Sequence, residues 1–199
     1  MTRPPDTLTE TPSQTAGPYV HLGCIPGLAG LTGIYPEDPG RAPMAEGARG
    51  EVVTITGAVF DGMGARLRDA MLESWQADAA GRYPGTTGAD PNVTGFCRFA
   101  ADADTGEFTL RTVKPGAVAG HDGRAMAPHV SLWIVARGIN TGLHTRLYFE
   151  DEDNGADPLL ARIVPPERAE TLIAQRTGPG AYRFDIRLQG GGETVFLDI

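Results

Sequence analysis

His129 and Ser131 stand two apart in the stretch APHVS at 127–131, inside a run that reads as a strand. Residues two apart on a strand point to one face, so a His-x-His there would aim two imidazoles at one metal ion. Ser131 offers only a hydroxyl, a poor ligand. Tyr83, which follows an Ala-Gly turn, is the other donor of interest, because phenolate and imidazole together suit ferric iron. Two donors fall short of the about three or four protein ligands that a metal site needs. His21, His121 and His144 complete the histidines. A lone histidine is more often a satisfied structural residue than a ligand.

Arg137 is the second residue of interest. It closes the almost continuously apolar run HVSLWIVAR at 129–137 and precedes Gly-Ile-Asn. Its guanidinium can snorkel out of a strand end, or it can clasp a carboxylate with two parallel hydrogen bonds. The residues alone leave both readings open. The chain has no G-x-S-x-G elbow, Walker A loop, G-x-G-x-x-G or H-E-x-x-H. Gly190-Gly191-Gly192 lacks a following Lys and helix, so it reads as a hairpin turn. The acidic run at 150–153 reads as a solvated turn.

The elements that must position these residues are strands. Residues 51–61 (EVVTITGAVFD) are rich in β-branched side chains and end in Asp-Gly. Strands are also expected at 70–78, at 96–101 and 107–113 around the Asp-Thr-Gly at 104–106, at 145–149 and at 194–199. The run at 129–137 reads as a strand buried on both faces. Residues 182–189 (YRFDIRLQ) alternate, with Tyr182, Phe184, Ile186 and Leu188 on one face. One helix is expected over 166–176, with Pro166 at its start and Gly178 past its end. Many short strands, Gly/Pro turns and few helices predict an all-β chain: a β-sandwich core at 51–199 with one or two short helices. Residues 1–50 show neither period. They form an extended N-terminal arm, apolar enough to pack on either its own domain or a partner.

The 199 residues carry a net charge of −8, with 41% hydrophobic and 21% charged residues. No basic patch for nucleic acid is visible. An anionic ligand would need a cation placed locally, against an unfavourable overall field. Residues 11–36 lack Asp, Glu, Lys and Arg, yet their many Gly and Pro exclude a transmembrane helix. With no apolar signal core at the N-terminus and only Cys24 and Cys97, neither in a disulfide or zinc pattern, a cytoplasmic location is expected.

Several segments together resemble one family. They are TPSQTAGPYVH at 11–21, WQAD at 75–78, TVKPG at 112–116, MAPHVS at 126–131, ARGIN at 136–140, HTRLYF at 144–149 and the closing stretch 182–199. They are similar to the alpha chains of protocatechuate 3,4-dioxygenases, within the intradiol ring-cleaving dioxygenases. The likeness runs from about residue 8 onward and is weakest at 24–50 and 84–94.

The resemblance implies a heteromer of alpha and beta chains with related β-sandwich folds. The beta chain there holds a non-haem Fe(III) through two tyrosines and two histidines. Protocatechuate and O2 are the substrates, and 3-carboxy-cis,cis-muconate is the product. Carried onto this chain, the ligand positions fall on Tyr83, Val118, His129 and Ser131, and Met126 takes the place of an arginine. Two donors are lost, so the resemblance implies a vestigial site without iron and no catalytic residue in this chain. It also implies that Thr15, Gly17, Pro18 and Tyr19 of the arm, with Arg137, line the substrate pocket above the partner's iron, in a higher oligomer of alpha-beta pairs. Two rivals remain. A self-sufficient dioxygenase is disfavoured by Val118 and Ser131, and a non-enzymatic carrier or adaptor is disfavoured by the retained arm.

Overall fold

The computed structural model describes residues 12, 14–17, 19–120 and 123–198; Pro18 and His121 lie outside the described residues. The described chain forms β1 (Val52–Phe60), β2 (Met71–Trp75), β3 (Phe96–Ala100), β4 (Glu107–Val113), β5 (Val118–Ala119), β6 (Ala125–Met126), β7 (His129–Val135), β8 (Leu143–Phe149), β9 (Ile173–Gly178), β10 (Ala181–Arg183) and β11 (Ile186–Arg187). A short helix α1 (Val20–Cys24) and two 3₁₀ segments, Leu160–Arg162 and Pro166–Leu172, complete the fold.

Nine strands share one hydrogen-bonded path, β11-β1-β10-β9-β8-β7-β2-β3, with β4 on the other edge of β1. The path turns over at β9. Its first residues pair in parallel with β8, and its later ones pair antiparallel with β10. The β4-β1-β10 side and the β3-β2-β7-β8 side thus become two layers. Val53, Ile55, Phe108, Leu110 and Tyr182 from one layer meet Leu72, Val130, Leu132, Ile134, Leu147 and Phe149 from the other. Each such side chain contributes about 1.5–3 kcal/mol by leaving water. The expected all-β sandwich is the observed one.

A second, smaller cluster sits on the outer face of β7 and β8. Ala127, Tyr148 and Leu172 are buried there under Leu159, Leu160, Ile163, Ile173 and Val195. This outer layer covers the strand face that carries His129.

Four details differ from the sequence expectation. The run at 129–137 forms β7 only to Val135, and it alternates rather than burying both faces: Val130, Leu132 and Ile134 face the core, while Ser131, Trp133 and Val135 are half-buried. The helix expected over 166–176 is a 3₁₀ segment to Leu172 followed by β9, because Leu172 and Ala174 bury their side chains and Ile173 and Ala174 pair with β8. The strand over 182–189 comes as two pieces, both parallel to β1. Between them Asp185 accepts a hydrogen bond from Ala58 N–H through its carboxylate, at 3.1 Å. The C-terminal strand shrinks to a single bridge between Leu197 and His144.

The described part of the arm runs along β3. Arg98 N–H donates to Gly40 O at 2.7 Å, Arg98 Nη1 donates to Cys24 O at 3.2 Å, and Met44 bridges Val93. Asp38 closes the arm's own loop by accepting from Gly27 N–H at 2.8 Å.

Candidate functional site

Strand register builds the first candidate. Trp75, Ser131 and Arg146 lie directly opposite one another across β2, β7 and β8, and His129 lies opposite Tyr148 in the adjacent row. Side chains directly opposite, or diagonal by two, are in mutual reach. Tyr83 joins the row from a loop: its ring stacks on Trp75 with centroids 5.8 Å apart and planes 3° from parallel.

That loop is held by the residues after Trp75. Gln76 is buried; its amide donates to Val113 O at 2.9 Å and its oxygen accepts from Thr112 Oγ1 at 2.9 Å, tying the end of β2 to β4. Asp78 accepts from Ala80 and Arg82 N–H at 2.9 Å each and from Asp90 N–H at 2.8 Å. Burial alone would raise its carboxyl pKa, but these backbone donors outweigh burial and hold it below the usual range. WQAD is therefore a scaffold that places Tyr83.

His129 is 2% exposed. Its Nδ1 lies 2.7 Å from Ala127 O, which can only accept, so Nδ1 carries the hydrogen. Nε2 then presents a lone pair with no hydrogen-bond partner among the described residues. Burial, and next the Arg146 charge, push the imidazole pKa down to about 4, against the smaller pull of Ala127 O and Asp157. Burial raises the phenol of Tyr83, and the Arg146 charge offsets this only in part. Tyr148 is raised mainly by burial, and its hydroxyl donates to Asp157 at 3.2 Å.

Val118 pairs with Met126 across β5 and β6, and Arg146 Nη1 reaches Met126 Sδ at 3.5 Å. The cluster thus holds a neutral imidazole, a phenol, an aliphatic side chain, a hydroxyl and a guanidinium. Among the described residues, no group of three or more His, Cys, Asp or Glu is placed to hold a metal ion. A fixed cation beside the two remaining donors opposes a metal and favours the neutral imidazole. These residues do not fit an iron site. Arg146 escaped the sequence reading because only the β7–β8 register sets it against Ser131.

The second candidate lies at the far end of β7. Thr15 Oγ1 accepts from Gly138 N–H at 2.6 Å, and its hydroxyl hydrogen is shared between Ala136 O at 3.4 Å and Ala16 O at 3.2 Å. The arm therefore grips both peptides that flank Arg137. Gly138 has φ +88°, a conformation that glycine adopts without strain. A cleft of about 290 Å³ lies here, lined by Ala16, Gly17, Val20, His21, Asp69 and Arg137. Its charged lining is one guanidinium and one carboxylate, Arg137 and Asp69. Tyr19 is 76% exposed beside it and is not part of the lining. His21 and Asp69 were not legible as site residues: one sits in a five-residue helix and the other before β2, joined to Arg137 only by the fold.

The profile of the dioxygenase family matches residues 31–190. The chain belongs to the intradiol dioxygenases. It is 50% identical to the protocatechuate 3,4-dioxygenase alpha chain of Pseudomonas putida, over 98% of this chain and 99% of that one. It is also 34% identical to the protocatechuate 3,4-dioxygenase beta chain of Burkholderia cepacia, over 73% of this chain and 67% of that one. Among solved structures it is similar to the 3-chlorocatechol 1,2-dioxygenase of Rhodococcus opacus 1CP, with a TM-score of 0.57 and 28% identity. That match covers 74% of this chain and 62% of the longer enzyme. Intradiol dioxygenases depend on non-haem Fe(III); in this chain Tyr83 and His129 are accompanied by Val118, Ser131 and Arg146.

Proposed function

We propose that the chain is the non-iron-binding alpha subunit of a protocatechuate 3,4-dioxygenase. It completes the substrate pocket of an Fe(III)-bearing beta subunit, which cleaves protocatechuate with O2 between its two hydroxyls to give 3-carboxy-cis,cis-muconate. The observation that carries this reading is the Thr15 grip on Arg137, beside a cleft that Gly17 and Arg137 line together. The alpha-chain relative at 50% identity over nearly the full length supports it, as do the incompatible donors around His129.

In this reading Arg137 meets the carboxylate of the aromatic acid, Gly17 lines the cleft beside it, Thr15 holds the peptides that flank Arg137, and Tyr19 stays exposed beside the cleft for the partner chain. The subunit binds, orients and excludes water. The Fe(III) of the partner supplies the reactivity toward O2. Alpha-beta pairs assemble into a higher oligomer in the cytoplasm, where Cys24 and Cys97 stay unpaired thiols.

The test is Arg137→Met in the co-assembled alpha-beta complex. A charged hydrogen-bonding partner contributes about 1.5–3 kcal/mol, so KM for protocatechuate rises by about 10- to 100-fold. Catechol, which lacks the carboxylate, is affected little as substrate or competitor. Equal effects on both compounds, or none on either, would overturn the assignment of Arg137.

A further inference from the structure

Arg137 has an ion-pair partner in Asp69. We propose that Asp69 is the positioning residue that holds the Arg137 guanidinium in the orientation that reads an aromatic carboxylate, an inference that rests on the pocket role of Arg137 given above. Asp69 Oδ2 lies 3.3 Å from Arg137 Nε. The Arg137 side chain is 78% exposed and the Asp69 side chain 37%. Among the described residues no other ion-pair partner engages this guanidinium.

The geometry divides the guanidinium into two edges. Asp69 takes the Nε edge, and the terminal amino groups keep the fork of N–H donors that matches a carboxylate. An arginine on an open surface otherwise loses side-chain freedom when it binds, and a prior contact at Nε removes part of that loss.

Both ends of this contact are anchored. Asp69 immediately precedes Ala70, which is fully buried and whose carbonyl accepts from Ala101 N–H at 2.9 Å. On the other side Thr15 grips the peptides before and after Arg137. Asp69, Arg137 and Gly17 line the same cleft. A carboxylate beside an anion site would by itself repel the ligand. Its placement against Nε makes it an orienting group, and its removal tests which effect dominates.

The experiment is Asp69→Asn in the assembled alpha-beta complex, with Asp69→Glu and Arg137→Met alongside. KM and kcat are measured for protocatechuate, with catechol as substrate or competitor for comparison. Asp69→Asn is expected to raise KM for protocatechuate about three- to fivefold, in the upper part of what an exposed ion pair contributes. Its kcat stays within about twofold and catechol is unaffected; Asp69→Glu recovers part of the loss. An unchanged or lower KM in Asp69→Asn, while Arg137→Met still raises it, would overturn the positioning role and leave the function standing. A loss shared equally by protocatechuate and catechol would mark Asp69 as fold support and also overturn it. If Arg137→Met itself leaves KM unchanged, the function reading fails and this inference with it.

Discussion

Ser131 faces Arg146 across the β7–β8 ladder, and that pairing decides what His129 can do. Its imidazole is buried, neutral and hydrogen-bonded through Nδ1, with a guanidinium nearby that further disfavours the protonated form. The folded pKa of about 4 lies below the ordinary value of 6.5, so between these values the unfolded chain binds more protons than the folded one. Stability contributed by this group is therefore complete above pH about 6.5 and is lost as pH falls toward 4. Chemical denaturation at stepped pH should show a decline on the order of 1–3 kcal/mol over that window. His129→Gln should flatten it, and an equal slope in this variant would place the linkage elsewhere. Arg146→Met should raise the imidazole pKa, read by NMR titration of the ring.

At the scale of elements, the outer layer over β7 and β8 depends on Asp157. Its buried carboxylate accepts from Ala127 N–H at 2.8 Å, Leu159 N–H at 2.8 Å, Leu160 N–H at 3.1 Å and the Tyr148 hydroxyl at 3.2 Å. Asp157→Ala leaves these donors without their acceptor, and the expected loss is about 2–4 kcal/mol in unfolding free energy. A loss below about 1 kcal/mol would mean that solvent replaces the carboxylate. Asp157 carried no sequence signal, since its partners come from three separate segments. The strands β1 to β4, β7 and β8 were legible because β-branched runs and Asp-Gly or Thr-Gly turns agree with the fold, whereas the two-residue β5 and β6 carried no such signal. Residues 166–176 were not. Pro166 and Gly178 suggest a helix, but pairing with Tyr148 and Phe149 draws Ile173 and Ala174 into a strand. Local capping signals lost there to a tertiary contact. In the same way Tyr83, His129 and Arg137 were legible as residue types, whereas Arg146, His21 and Asp69 gained meaning only from register and loop packing.

At the scale of the whole molecule, the arm leaves Tyr19, Leu28, Leu31, Ile34 and Tyr35 exposed, and Trp75 is exposed on the sheet face. Apolar groups gathered in this way on one chain fit burial against a partner. The alpha-beta reading uses both faces: the arm reaches the partner's pocket, and the sandwich supplies the body of a permanent interface. Co-expression with the beta chain should yield an equimolar complex, and analytical ultracentrifugation of the chain alone should show self-association or a poorly soluble monomer. A monodisperse, indifferent monomer would count against an obligate partner. The most direct test is metal content together with protocatechuate-dependent O2 uptake, for the chain alone and for the co-assembled complex. The account predicts no stoichiometric iron and no uptake alone, but about one Fe(III) per alpha-beta pair and full uptake together. Stoichiometric iron and uptake in the lone chain would contradict it, and would mean that Tyr83 and His129 form a complete site despite Val118, Ser131 and Arg146.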